Sequence, residues 1–284
     1  MTNSMSGDSI DDVCFKGFFN LTHKLTGISL KQGRNSMLEG RLRRRLRALE
    51  LDSFKQYLQY LKDHPDEHEE FINQITTNET YFYRTPRIWN YLESTYLPQW
   101  YEKNSGRTLQ IWSAASSTGE EAHTLGVLMQ SFKDSHRDFD YRVHGTDIDT
   151  CVLEKASIGC YQGRRIERFR QMRPELFERY MTGDDSSGYQ VTPPIKERIR
   201  FSQFNLFETP PLTPQFDLVL IRNVLIYFST QDQAKVMATV LRRVKSDSVV
   251  IIGESESLNS VTQDFNSITP MIYSPVDLNI RGAA

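Results

Sequence analysis

Apolar residues recur at helical spacing through the N-terminal part of the chain. Val13, Phe18, Leu21 and Leu25 form one stripe, with Ser9 placed to cap it, Asp11 and Asp12 in its first turn and Gly27 at its end. Leu38, Leu42, Leu46 and Leu49 form a second stripe, and shorter helices are predicted over residues 54–61 and 67–75, the latter opened by Pro65 and Asp66. A polar, turn-prone stretch from Thr76 to Thr80 beside Tyr81, Phe82 and Tyr83 reads as a linker, and Pro86 starts a further helix through Trp89, Leu92, Tyr96, Leu97 and Trp100. From there the pattern changes. Leu109 and Ile111 read as the end of a buried strand, residues 119–132 as a helix and 141–145 as a second strand. Residues 199–204 suggest a strand edge, 216–221 a fully buried central strand, 231–244 a helix, 249–253 another strand, and Met271, Ile272 and Tyr273 a closing edge. This alternation predicts an α/β class, with a mostly parallel sheet, helices on both faces and an antiparallel closing strand. Residues 1–85 are expected to form a small all-α domain with its linker, and 86–284 the α/β domain; a β insertion is expected around 183–204, where the polar turn Gly183 to Gly188 reads as a hairpin.

The stretch Ser113-Ala114-Ala115-Ser116-Ser117-Thr118-Gly119-Glu120-Glu121 is a strand end, a loop of small residues and a helix start. In an α/β sheet such a loop bares backbone N–H groups at the carboxyl end of a strand, where ligands bind. A phosphate cradle would want more glycines and often a lysine, and two carboxylates would repel pyrophosphate. Acidic side chains suit a ligand with an amino group or sugar hydroxyls; a plain strand-to-helix connection is the competing reading. The second strand ends in Thr146-Asp147-Ile148-Asp149. A carboxylate there can accept both hydroxyls of a ribose, and Asp147 is the candidate, whereas Asp149 fits better as a helix N-cap.

Charge adds one local feature. The 34 lysines and arginines nearly balance 36 aspartates and glutamates, giving a formal net charge of -2, so no global basic field argues for nucleic-acid binding. The second helix is an exception, because Arg34, Arg41, Arg43, Arg44, Arg45 and Arg47 cover most of its circumference outside the leucine stripe. It is either a solvated face or a docking face for an acidic helix, protein surface or nucleic acid. Cys14, Cys151 and Cys160 lack metal-ligand spacing and are expected to be buried free thiols in a reducing cytoplasm, and no metal is expected. The polar N-terminus and the absence of a run of ~20 apolar residues predict a soluble protein.

These motifs, together with Thr77-Asn78-Glu79-Thr80 and Arg84, Asn205-Leu206, and Arg222-Asn223-Val224-Leu225-Ile226-Tyr227-Phe228, resemble the bacterial chemotaxis receptor glutamate methyltransferases of the CheR type, over nearly the whole chain. The resemblance implies a Rossmann-like fold dependent on S-adenosylmethionine, with S-adenosylhomocysteine as product. It also implies a protein-glutamate O-methyltransferase acting on the cytoplasmic helices of methyl-accepting chemotaxis receptors in adaptive signalling. Carried over by matching position, Asn78, Thr80, Arg84, Glu120, Asp147, Asn205, Leu206, Arg222 and Asn223 are the expected cofactor contacts, Glu121 being left as a helix-start carboxylate. The basic second helix resembles the family's receptor-docking face, giving Arg34, Arg41, Arg44 and Arg45 that role. The insertion resembles its β-subdomain, which in some members holds a receptor C-terminal peptide. Ser116, Ala122 and Ile221 depart from residues common in similar enzymes (Cys, Pro and Cys), none removing a charge or donor that the site requires.

Transfer of a methyl group from a sulfonium to a carboxylate is a direct displacement, and a glutamate is already ionised near pH 7. Alignment and exclusion of water then carry the reaction. Arg84 and Tyr227 are the expected catalytic residues, orienting the carboxylate or cofactor and positioning through the hydroxyl; packing beside Phe228 is the other reading for Tyr227. A methyltransferase of another protein or of RNA, and a silent receptor-binding adaptor, are the alternatives. A cytoplasmic monomer that binds no nucleic acid and does not insert into membranes is the expectation.

Overall fold

The structure is a computed structural model, and it describes residues 9–30, 35–209 and 215–276. Helix α1 (Asp12–Thr26) begins two residues later than Ser9 would set it, because the Asp11 carboxylate accepts the Cys14 N–H at 2.6 Å, and it stops at Gly27, whose φ of 71° is left-handed. Its buried face is Cys14, Phe15, Phe18, Thr22 and Thr26, while Val13 is exposed. Helix α2 (Asn35–Ala48) buries Leu38, Leu42 and Leu46 as its stripe predicts. Helix α3 (Phe54–Asp63) opens on a reciprocal capping box between Ser53 and Gln56, and α4 (His68–Ile75) follows a single 3-10 turn. Phe18, Tyr57 and Phe71 meet with ring centroids 5.9 to 6.3 Å apart and make the centre of this small core.

Two arginines of α2 close that core from its edge. Arg45 forks onto both carboxylate oxygens of Glu67, which is 5% exposed and also accepts the Tyr57 hydroxyl at 3.0 Å. Arg41 donates to the carbonyls of Ile75 and Thr76 and to the Thr77 hydroxyl, satisfying the carboxyl end of α4. Arg44 and Arg47 are exposed, and Arg34 lies outside the described residues.

The helix begun by Pro86 is in fact α5 (Pro86–Tyr91), a π turn (Leu92–Tyr96) and α6 (Leu97–Asn104). The widened turn precedes Pro98, whose ring cannot donate to the regular ladder. The sheet then alternates with helices: β1 (Thr108–Ala114), α7 (Glu120–Ser135), β2 (Asp140–Asp147), α8 (Thr150–Ile158), α9 (Arg164–Met172), α10 (Pro174–Tyr180), β3 (Met181–Asp184), β4 (Gly188–Val191), α11 (Pro193–Lys196) and β5 (Ile199–Gln203). It ends with β6 (Phe216–Ile221), α12 (Thr230–Leu241), β7 (Val244–Ile252), β8 (Phe265–Thr269) and β9 (Ile272–Pro275).

Seven strands form one sheet in the order β5-β2-β1-β6-β7-β9-β8, parallel except at β9, which runs antiparallel to both its neighbours. Two expectations change. The edge is β8 rather than the strand around Ile272, and only Phe265 of β8 is buried, which is why no apolar run announced it. The insertion is α9, α10 and the hairpin β3–β4; residues 199–203 pair with β2 and belong to the main sheet, so a β insertion running to 204 is too long. Cys14 is buried, but Cys151 and Cys160 are exposed free thiols. Among the described residues, no helix is long and apolar enough to cross a membrane.

The α domain sits against the carboxyl edge of the sheet through polar contacts. Asp149 caps α8 through the Val152 N–H and also accepts the Thr76 hydroxyl at 2.6 Å and the Asn78 amide at 2.7 Å. The Asn205 amide donates to the Leu25 carbonyl, the Ser29 N–H to the Tyr227 carbonyl, and His23 meets Asp232 at 2.9 Å. Arg45→Ala is expected to lower unfolding free energy by about 2–3 kcal/mol, since Glu67 is left buried without its counter-charge, while Arg44→Ala stays within about 0.5 kcal/mol; urea unfolding followed by circular dichroism distinguishes the two.

Candidate active site

Strand register assembles the site. Ala114, Thr146 and Ile221 are paired across β2, β1 and β6, so the residues that follow them leave the sheet together. After β1, Ala115, Ser117 and Gly119 have φ of 62°, 50° and 91°, a loop conformation that exposes main chain and that non-glycine residues adopt at a cost. At Gly119 a side chain is also excluded: a Cβ would lie 2.8 Å from that of Ala156 and 2.9 Å from the Tyr161 hydroxyl. Asp147 holds this loop, accepting the Ser117 N–H on one oxygen at 2.8 Å and the Asp149 N–H on the other at 3.0 Å. Each oxygen keeps a further lone pair. Burial raises the Asp147 carboxyl to about 6, against the N–H groups that pull it down.

A cavity of about 280 Å³ opens here between the sheet edge and the α domain. Asn78, Thr80, Arg84, Asp147, Asn205, Leu206, Arg222, Asn223 and Tyr227 all line it, brought together from the linker and three strand ends. Asn205 is fixed by its bond to Leu25 and by accepting the Phe207 N–H; Asn223 takes a left-handed φ of 59° and donates its N–H to Glu256. Glu256 also accepts the Gly253 and Ile226 N–H groups, and so shapes the loop after β6, a part that sequence reading did not give it.

Glu120 is the correction. It is fully buried, away from the cavity lining, and takes a hydrogen bond from Thr118 at 2.6 Å and a salt bridge from Arg165 at 2.6 Å. Glu121 faces the cavity instead, because successive helical residues point about 100° apart and the start of α7 turns the second carboxylate toward the strand ends. Glu121 accepts the Ser113 hydroxyl at 2.8 Å and pairs with Arg222 at 2.9 Å. Arg222 also donates to the Arg84 carbonyl at 2.8 Å, its guanidinium lies 5.5 Å from the Trp89 ring centroid, and its Nε is buried without a partner. The α domain adds Phe15, Thr26, Ile28, Met37 and Leu38 to the lining, an apolar wall that depends on domain packing and carries no local sequence signal.

Residues 78–273 match the family described as CheR methyltransferase, SAM binding domain, and residues 15–76 match CheR methyltransferase, all-alpha domain. The chain belongs to the CheR methyltransferase family. It is 32% identical over 257 residues to chemotaxis protein methyltransferase 2 of Pseudomonas aeruginosa, a match covering 89% of each chain. It is 31% identical over 274 residues to the chemotaxis protein methyltransferase of Salmonella typhimurium, covering 94% of this chain and 91% of that one. The Escherichia coli chemotaxis protein methyltransferase is 29% identical over 272 residues, covering 94% and 92%.

As a CheR family methyltransferase, the protein takes S-adenosylmethionine as cofactor. The lining fits that molecule: carboxylates for amino and hydroxyl donors, an apolar wall, and a buried Ser116 hydroxyl with no partner inside the protein. The pH dependence of S-adenosylmethionine affinity tests Asp147. A carboxylate can accept two hydroxyls only when ionised, so, with Asp147 as the proposed ribose contact, affinity measured by calorimetry is expected to fall as pH is lowered through about 6. Asp147→Asn is expected to weaken binding roughly tenfold or more and to remove that dependence.

Proposed function

We propose that this protein transfers the methyl group of S-adenosylmethionine to glutamate side-chain carboxylates on the cytoplasmic helices of chemoreceptors, giving glutamyl methyl esters. One observation supports the carboxylate acceptor above others: the described lining contains no histidine, lysine or cysteine to take a proton, and of its carboxylates Glu121 is paired with Arg222, Asp147 is held by the Ser117 and Asp149 N–H groups, and Glu79 is exposed to solvent. An amine acceptor would have to lose a proton before attack, whereas a glutamate is already ionised near neutral pH. Bound S-adenosylmethionine supplies an electrophilic methyl group on a sulfonium. The protein's part is to hold the acceptor in line and keep water out, an effect that can contribute roughly 7–11 kcal/mol.

Arg84 is held near the reacting end by the linker. Its carbonyl accepts from Arg222 and from the Trp89 indole at 2.9 Å, its guanidinium donates to the Glu79 carbonyl at 3.0 Å, and its free donors can orient a carboxylate. Tyr227 lines the same cavity and can position the acceptor through its hydroxyl. Asn78, Thr80, Asp147, Asn205, Leu206, Arg222 and Asn223 are the proposed cofactor contacts, with Glu121 in the role that sequence reading gave to Glu120. Receptor docking on α2 falls to its exposed Arg44 and Arg47, since Arg41 and Arg45 are occupied inside the fold. The hairpin β3–β4 is the proposed holder of a receptor C-terminal peptide, and the working form is a cytoplasmic monomer.

Radiolabelled S-adenosylmethionine incubated with the protein and receptor-bearing membranes is expected to give protein label released by mild base. Base-stable label, or label only in RNA, would favour another acceptor, and cofactor binding without transfer a silent adaptor. Arg84→Ala is expected to reduce that labelling about 100-fold or more in a folded protein that still binds S-adenosylmethionine; near-normal turnover would remove Arg84 from the mechanism.

A further inference from the structure

Tyr81 lies on the cavity lining, and two guanidinium groups converge on its ring: Arg84 at 5.6 Å and Arg168 of α9 at 4.1 Å from the centroid. Among the described residues, neither has a carboxylate partner. Like charges brought to one ring repel, and the ring faces only partly offset this. The local excess continues along α9, whose nine residues carry four arginines and one glutamate. Arg165 is spoken for by Glu120, Arg170 by Glu167 and Asp185. Arg164 is exposed, one helical turn before Arg168 and on the same face, with no ion pair among the described residues. Glu120 and Glu167 are committed to Arg165 and Arg170, and the positive charge of Arg84, Arg168 and Arg164 runs from the cavity lining outward over α9. The near-neutral chain as a whole gives no reason for such a strip.

We propose that Arg164 and Arg168, with Tyr81 beneath Arg168, form a docking contact for the acidic helical segment that carries the methyl-accepting glutamate. This inference rests on the receptor-glutamate reading above. A carboxylate-bearing helix laid across α9 supplies the counter-charges this face lacks, and Arg84 at the inner end of the strip receives the reacting carboxylate. The insertion then acts in recognition through its helix as well as its hairpin. Because the contact is partly solvated, it governs association with the protein substrate more than the chemical step.

The test is steady-state methylation of receptor-bearing membranes by the full-length chain. Arg164→Glu combined with Arg168→Glu is expected to raise KM for receptor roughly tenfold, with kcat and S-adenosylmethionine affinity unchanged, and to flatten the fall of kcat/KM with added salt. Arg164→Glu alone, which leaves the Tyr81 stack in place, is expected to give a smaller change in the same direction, and Arg168→Lys to retain most of the affinity. A double variant with wild-type KM and salt dependence at low ionic strength overturns the docking role while leaving receptor methylation intact. A loss of kcat together with cofactor affinity would mark α9 as structural and also overturn it. A wild-type chain that labels no receptor overturns both readings.

Discussion

The Arg222–Glu121 pair is the contact on which the rest of the site depends. The Arg222 side chain is 1% exposed and that of Glu121 13%, so neither charge has water to fall back on. Taking such ions out of solvent costs several kcal/mol each, and only close pairing with further hydrogen bonds offsets it. Those bonds define the architecture. Glu121 is held by Ser113 at the end of β1, and Arg222, at the end of β6, reaches across to the Arg84 carbonyl in the linker and lies against Trp89 of α5. One buried pair thereby joins two strand ends, the first turn of α7 and the segment carrying Arg84. Removing either partner strands the other, and the cavity loses its floor.

Around this pair, strain and polarity concentrate where a ligand must approach. Tyr83 and Thr85, on either side of Arg84, have φ of 56° and 64°, and the loop after β1 alternates through the same left-handed region. Such conformations persist only where neighbours over-determine them. Asp147 does so for the β1 loop, Glu256 for the loop after β6, and the Trp89 and Arg222 donors for Arg84. The α domain completes the cavity by laying an apolar wall over this polar edge, fastened by Asp149 to Thr76 and Asn78. The cavity thus lies at a seam between two domains, each of which contributes what the other lacks.

Much of this is written locally in the chain. The central strand β6 is buried at every position and stands out as an unbroken apolar run; the α2 stripe is spaced as a helix requires; Asp149 is recognisable as a cap because it precedes a helical pattern. What sequence does not reveal is set by direction and by distance along the chain. Glu120 and Glu121 differ by one position, and only the orientation of α7 on the sheet decides which meets Arg222. The α2 arginines read alike in sequence, yet Arg45 finds Glu67 and Arg41 finds the end of α4, partners 22 to 36 residues away, and only then do they cease to be a surface. Strand β8 has a polar exposed face with no periodic signal, and the α9 strip becomes a feature only once Arg168 is seen over Tyr81.

The proposed methyl acceptor is a glutamate carboxylate, in a cavity whose described lining has no proton-accepting histidine, lysine or cysteine. Tandem mass spectrometry of receptor incubated with the protein and S-adenosylmethionine tests it most directly. The expected result is the mass of one methyl group on glutamate side chains of the cytoplasmic helices, lost on mild alkaline treatment. Methylation found instead on lysine or arginine nitrogen, or surviving that treatment, would contradict it.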